Sequence, residues 1–352
     1  MSRIVYFGNF VFPDKNAAAH RVLNNGIVLK KLGHEVIFVA AGKQSEKDFV
    51  NGFKVIYYKY VSKLDKCLYY FGSIAKKVLK NQLTNADYVV VYNAPSLVLK
   101  WLIKQKRRLG FQLISDITEW YEKKGIFAYD TKMRMEKLNF QSDGLIVISK
   151  FLFDYYNAKV KCIIVPPIVN TSMQAIQKKL KTKNNLIFFG TISQRKERLD
   201  VIVDAVSYNG KCNLYVLGCS KEEFCLTYRK ISPVSDCIHF LGKRSHKESI
   251  EHLLSSDYFV FLRDDNLTTR AGFSTKLAES LAFGIPVITN HSISTDAYIE
   301  ERKNGYFVKD IDYISVSTTL DEAFDNKIVC LRDQRFTSDY YLSVFETIFG
   351  KN

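Results

Sequence analysis

The sequence predicts an α/β protein of two domains, each an open parallel sheet flanked by helices. Three observations carry that prediction. Short apolar runs rich in β-branched and aromatic residues alternate with longer stretches of helical periodicity. The alternation restarts after a break rich in proline and lysine. The 352 residues, 47% apolar and 25% charged, are also enough for two ordinary hydrophobic cores.

Taken in order, Arg3 to Phe7 (RIVYF) reads as a buried strand. Asn16 to Leu32 follows as a helix ended by Gly33, and Glu35 to Val39 as a second strand. Strand, helix, strand with a right-handed crossover is the seed of a parallel sheet. Gly8 and the small residues Ala17 to Ala19 are expected to leave room for a ligand at the end of the first strand. Arg21 is read either as a phosphate or acceptor contact or as an ordinary surface arginine. Phe53 to Tyr58, Tyr88 to Tyr92, Gln112 to Ser115, Leu145 to Ile148 and Ile163 to Val165 continue as strands. Helical patterns from Lys66 to Gln82, from Pro95 to Arg108 and from Phe151 to Asn157, the last capped by Ser149, separate them. Asp116 and Glu119 follow the Gln112 strand, where polar residues of an open α/β sheet border the ligand crevice. Helix caps are the alternative reading for both. Pro166 to Asn185 is the expected connection between domains.

The second half repeats the grammar. Strands are expected at Leu186 to Phe189, Asn213 to Leu217, Ile238 to Leu241, Tyr258 to Leu262 and Val287 to Thr289, with helices at Leu199 to Val206 and His246 to Ser255. The stretch from Arg263 to Asn290 stands out. Gly272, Ser274 and Thr275 fall where the Tyr258 strand gives way to a helix, so unpaired amides and the helix dipole favour an anion there. Lys276 adds a full charge, and Glu279, near one turn on, suits the hydrogen-bonding groups of a ribose diol. Spacing alone leaves open a plain capping serine and a solvated glutamate. Asp264 and Asp265 are adjacent on an extended segment and point apart, so they are read as capping or solvated residues and no metal site is assigned.

The formal net charge is +15, and it is one-sided: residues 1–170 hold 27 Lys and Arg against 13 Asp and Glu, the remainder 24 against 23. Basic clusters at Lys76-Lys77-Lys80, Lys104-Lys106-Arg107-Arg108 and Lys123-Lys124 lie among Leu68 to Phe71, Trp101 and Trp120-Tyr121. That pattern implies a polyanionic partner for the first half, an anionic membrane surface fitting best and a solvated face being the alternative. No nucleic-acid reader motif is present. No apolar stretch is long enough to span a bilayer, and the start runs directly into a strand, so a cytoplasmic location is expected, peripheral on the inner face of the plasma membrane. Seven cysteines without a CxxC pair read as reduced core thiols.

The wording GFSTKLAESLAFGIPVI, residues 272–288, resembles the donor-nucleotide signature of retaining family 4 glycosyltransferases of the GT-B fold. In that family two glutamates eight positions apart flank a Gly-Phe-Gly-like loop. The resemblance implies two Rossmann-like domains with parallel sheets facing an inter-domain cleft and a C-terminal helix crossing back to the first domain. Residues 1–168 would bind the acceptor, 169–335 the nucleotide-sugar, and 336–352 form the returning helix. It further implies nucleotide contacts from Gly190, Arg195, Lys196, Gly272, Phe273, Ser274, Thr275, Lys276 and Glu279, with Glu279 matching the glutamate that holds the ribose. Lys196 and Lys276 would neutralise the leaving pyrophosphate, while Asp116 and Glu119 would grip an acceptor hydroxyl. The first glutamate's place is held by Ala271.

Read through the resemblance, the expected activity is metal-independent, retaining transfer of a sugar from a nucleotide-diphosphate donor, with no separate cofactor. The acceptor would be a glycan or a polyprenyl-diphosphate-linked saccharide of a bacterial capsule, O-antigen or exopolysaccharide. A non-catalytic sugar-nucleotide-binding partner of an assembly complex and a nucleotide-sugar epimerase are the alternatives.

Overall fold

The computed structural model describes residues 1–12, 17–42, 48–121, 125–171, 184–194, 196–228 and 235–350. The expectations placed on Asn16, Lys123, Lys124 and Arg195, and on most of the connection between domains, lie outside these residues. In chain order the strands are β1 Arg3–Gly8, β2 Glu35–Ala41, β3 Phe49–Val50, β4 Phe53–Tyr58, β5 Tyr88–Tyr92, β6 Gln112–Ile117, β7 Gly144–Val147 and β8 Cys162–Ile164. They continue with β9 Asn184–Phe189, β10 Cys212–Leu217, β11 Ile238–Gly242, β12 Tyr258–Val260, β13 Val287–Asn290 and β14 Gly305–Val308. They form two sheets, ordered β3-β4-β2-β1-β5-β6-β7-β8 and β11-β10-β9-β12-β13-β14. By contacts the chain divides into two compact units, one of Met1–Ile168, Ala271–Phe273 and Ser338–Asn352, the other of Val169–Arg270 and Ser274–Thr337.

In the first unit every pairing is parallel except β3 with β4. Alternation along the strands sends Ile4, Tyr6 and Phe38 to one face and Val5, Phe7 and Val39 to the other, so the sheet is covered on both sides. The Ala17–Lys31 helix packs on the first face together with the terminal Leu342–Phe349 helix, whose Phe345, Ile348 and Phe349 join the same cluster. Phe349 meets Tyr88 with ring centroids 5.1 Å apart.

Three elements differ from the sequence reading. The expected helix from Lys66 to Gln82 is two helices, Lys63–Tyr70 and Ser73–Leu79, because Gly72 between them takes φ +76°, which stops the first and caps the second. β3 was not anticipated: it pairs antiparallel with β4 across Asn51-Gly52, both at positive φ, as a two-residue hairpin turn requires. Finally, residues 334–341 form two 3-10 turns rather than the start of the terminal helix.

The second unit has an all-parallel sheet with its central strands buried, Leu186, Ile187, Leu214 and Val260 being at 0% exposure. Its strand order reverses direction between β9 and β12. The carboxyl ends of those two strands therefore flank the crevice where open α/β sheets hold ligands. Among the described residues no helix is long and apolar enough to cross a membrane.

Candidate active site

At the end of β9, Gly190 takes φ +156°, a conformation side-chain-bearing residues rarely adopt, and a Cβ added there would meet nothing within 4 Å. Its neighbour at the end of β10, Gly218, has φ +113° and packs so closely that a Cβ would lie 1.9 Å from the Gly190 carbonyl oxygen. Gly190 N donates to Leu217 O and Gly218 N to Gly242 O, binding three strand ends into one edge. The strand end at Gly190 is thus open backbone on a fixed frame.

The Thr275–Ala282 helix begins beside this edge. Ser274 is its N-cap, its Oγ accepting from Leu277 N at 3.3 Å, as the sequence suggested for this junction. Helix geometry leaves the Thr275 and Lys276 amides without intrahelical acceptors. Ser274 also lines a pocket shared with Arg263, Thr269, Leu277 and Thr295. Lys276 reaches back to the β9 terminus, its Nζ 4.7 Å from the centroid of the Phe189 ring, one residue before Gly190. Phe189 and Lys276, 87 positions apart, are thereby brought together.

Glu279 is 4% exposed and both its oxygens are engaged: Lys276 Nζ donates to Oε2 at 3.0 Å, and His246 Nε2 lies 3.0 Å from Oε1. A carboxylate only accepts, so His246 carries its proton on Nε2. Burial pushes the Glu279 carboxyl up, but the His246 hydrogen bond and the Lys276 charge outweigh it and hold it below the ordinary value. The result is a buried, ionised acceptor beside a cation that reaches the β9 terminus. His246, first residue of the His246–Ser255 helix, was not singled out from sequence. Its only local signal is the Ser245/Glu248 capping box, which fixes where that helix starts but says nothing of the imidazole's target.

The remaining expected contacts are distributed as follows. Lys196 lies half-buried in the loop after Gly190, its backbone N donating to Ser193 O. Arg195 is outside the described residues. Gly272 and Phe273 are contiguous with Ser274 but count with the first unit, Phe273 being 9% exposed. Asp265 pairs with Arg270, and Asp264 approaches Arg198 at 3.5 Å. No cluster of metal-ligating side chains occurs among the described residues.

In the first unit the strand-end residues do not form one group. Asp116 is 0% exposed. Its Oδ1 accepts from Arg21 Nη2 at 2.7 Å and Nε at 2.9 Å, and its Oδ2 from Tyr6 Oη at 2.5 Å. Arg21, 5% exposed, also donates to Val165 O at 2.7 Å. The reading of Asp116 as an acceptor-gripping residue is therefore corrected: its lone pairs are used inside the core. Arg21 is likewise a core residue rather than a surface or phosphate contact. Gly8 does not leave ligand space, since a Cβ there would lie 2.7 Å from Tyr92 Cβ. Glu119 is partly exposed, two residues past the β6 end and next to Thr118, whose Oγ1 accepts from Asn93 Nδ2 at 2.6 Å and whose backbone N donates to Asn93 Oδ1. Neighbouring Tyr92 is pushed up to about 12, by burial above all.

Residues 170–337 match the family model described as Glycosyl transferases group 1. Among curated proteins no sequence match is found. Among solved structures the chain is similar to the lipopolysaccharide outer core galactosyltransferase WaaB in its apo form, with 15% identity, 98% of both chains covered and a TM-score of 0.68. It is similar also to Anabaena HepE in complex with UDP and glucose, at 11% identity, 99% of both chains and a TM-score of 0.70. TarM matches at 10% identity over 100% of this chain and 99% of that chain, with a TM-score of 0.71. The fold is accordingly the two-domain α/β architecture of GT-B glycosyltransferases. Within it, residues 170–337 are the segment that matches the group 1 glycosyltransferase model.

Proposed function

We propose that this chain is a retaining glycosyltransferase that moves a sugar from a nucleotide-diphosphate donor to a glycan or lipid-linked acceptor, in the building of a bacterial capsule, O-antigen or exopolysaccharide. The observation that carries the reading is the buried Glu279 carboxylate, kept ionised by His246 and by Lys276, whose Nζ lies over Phe189 at the β9 terminus. A ribose diol supplies the two donors such a carboxylate accepts, and the diphosphate then lies toward Lys276 and the first amides of the helix.

The chemistry is a front-face displacement. The bond from the anomeric carbon to the diphosphate oxygen breaks, the acceptor oxygen bonds to that carbon on the same face, and the acceptor proton passes to the departing diphosphate. Charge growing on the diphosphate is met by Lys196, Lys276, Arg195 and the Thr275 and Lys276 amides, and needs no metal. Gly272 and Phe273 close the loop before the helix. Glu119 serves the acceptor, with Asp116 holding the framework beneath it. A polyprenyl-diphosphate-linked saccharide suits the basic first half, which faces the anionic inner leaflet. The names of the similar structures support the class: WaaB acts in the lipopolysaccharide outer core, and HepE holds UDP and glucose.

One observation favours a second reading. Ala271, where the family's first glutamate would stand, is 0% exposed and offers the donor sugar no carboxylate. A sugar-nucleotide-binding partner without turnover would fit that loss. A thermal-shift panel of UDP-, GDP-, dTDP- and CMP-linked sugars is the test. A ligand at about a hundredfold its Kd adds ~2.7 kcal/mol, so one base is expected to raise the melting temperature and Glu279→Ala to abolish the rise. No shift with any nucleotide would remove the reading. Binding without transfer to any acceptor would favour the partner, and turnover without an acceptor would indicate an epimerase.

A further inference from the structure

We infer that the first unit docks on an anionic lipid bilayer through the outer flank of the Lys63–Tyr70 helix. The inference rests on exposure and charge in the first unit and stands apart from the nucleotide reading of the second.

That helix buries Asp65 and Tyr69 against the unit. On its outer side Val61, Leu64, Leu68 and Phe71 are 61%, 66%, 37% and 55% exposed. Leu64, Leu68 and Phe71, at i, i+4 and i+7, line up as one stripe, and Val61 stands just before the N-cap Ser62. A helix of a globular protein turns such a stripe inward, so apolar side chains aligned toward solvent mark a contact surface, whereas scattered ones do not. The patch extends to neighbouring helices. Tyr70 packs on Phe127 with ring centroids 5.4 Å apart, and Phe127 is itself 47% exposed. Leu97, 44% exposed, lies in the first turn of the Ser96–Leu109 helix, whose backbone comes within 4 Å of a Cβ placed on Gly72.

Charge names the occupant. Residues 59–80 contain six lysines and one acidic residue, Asp65. Lys63 and Lys66 are exposed on this helix and Lys59 just before it, and Lys76, Lys77 and Lys80 are exposed on the Ser73–Leu79 helix and at its end. Asp65 is spent on the N-terminus of the helix, its Oδ2 accepting from the Val61 and Ser62 amides, and the charge of Lys59 also reaches it, which leaves five of the six lysines as the surplus. A partner must therefore present negative charge with an apolar layer directly beneath it. A phosphatidylglycerol-type bilayer does both, with lysines at the headgroups and leucines and Phe71 among the upper acyl carbons. A nucleic acid offers only the charge.

The test is co-sedimentation of the full chain with phosphatidylglycerol vesicles and with neutral phosphatidylcholine vesicles. Binding is expected to the first and not the second, and to weaken with salt. Leu64→Ser/Leu68→Ser/Phe71→Ser is expected to weaken it on the order of tenfold or more, with an unchanged melting temperature because all three side chains are exposed. Should the triple variant melt lower, Leu64→Ser alone carries the test, with a smaller loss expected in the same direction. Lys59→Glu/Lys63→Glu/Lys66→Glu is expected to remove most binding and most of its salt dependence. Undiminished binding by the apolar variants, or equal binding to neutral vesicles, would overturn the inference. So would a concentration-dependent dimer in light scattering that the triple variant dissolves without any vesicle binding, which would give the face to a second copy. Vesicle binding needs no nucleotide, so failure here leaves the thermal-shift result untouched.

Discussion

Lys276→Ala is expected to lower kcat for sugar transfer about a hundred- to a thousandfold, equivalent to ~3–4 kcal/mol of lost stabilisation of charge on the leaving diphosphate. The side chain has two tasks. It lies at the β9 terminus over Phe189, and it holds Glu279 Oε2 at 3.0 Å. The second task gives the variant a signature that a lost structural contact would not produce. In the folded protein burial raises the Glu279 carboxyl, while the His246 hydrogen bond and the Lys276 charge lower it further, for a net depression below 4.5. A carboxylate with a depressed folded value contributes stability above its unfolded value, and that contribution is lost as pH falls through the folded one. Removing Lys276 removes a lowering cause, so Glu279 protonates earlier on acidification and the acid limb of nucleotide binding moves to higher pH. Single-turnover rates and nucleotide-dependent melting from about pH 4 to 7 read the two effects separately. Near-normal turnover would take Lys276 out of the chemistry. A lost rate with an unmoved acid limb would leave it the diphosphate role and refute its hold on Glu279.

Much of this site was legible in the chain because it is local. Ser274, Lys276 and Glu279 lie within six residues, and helix periodicity alone puts Lys276 and Glu279 on one face. The central strands were legible for a similar reason: strands buried on both faces read as unbroken apolar runs. His246 was not, because its approach to Glu279 depends on how two helices 33 positions apart pack on the same sheet. The Asn51-Gly52 turn was in plain view as a hairpin signal, but β3 is two residues of exposed and half-buried surface, too short to show alternation. Gly72 lies in a stretch whose pattern is helical on both sides, and only its φ of +76° shows that the chain turns there.

Asp116 shows where a positional rule needs a second one. It does stand at the carboxyl end of its strand, where polar residues of open sheets meet ligands. But side chains alternate along a strand, and Asp116 shares a face with Ile114, which belongs to the cluster beneath the Ala17–Lys31 helix. The carboxylate therefore points under that helix, to Arg21.

That placement makes Asp116→Asn the substitution with the largest expected effect on stability. Arg21 is 5% exposed and Asp116 0%. Burial opposes the Arg21 charge, and the facing carboxylate more than restores it, so the guanidinium stays ionised in the core. A buried pair of this kind is weak grounds for net stabilisation, because both charges have left water. Breaking it is another matter: the charge left behind has no partner, and the cost is about 3–5 kcal/mol. At roughly 2–4 °C per kcal/mol for a unit of this size, the first unit should melt on the order of 10 °C lower. Asparagine keeps the shape, and its single side-chain oxygen can still accept from Tyr6 or Arg21, so the loss is assignable to charge rather than to a cavity. Arg21→Met/Asp116→Leu, which removes both charges and fills the space, should recover most of it. If Asp116→Asn instead melted normally and lost turnover, the carboxylate would be acting on a substrate after all, and the buried-support role would fall.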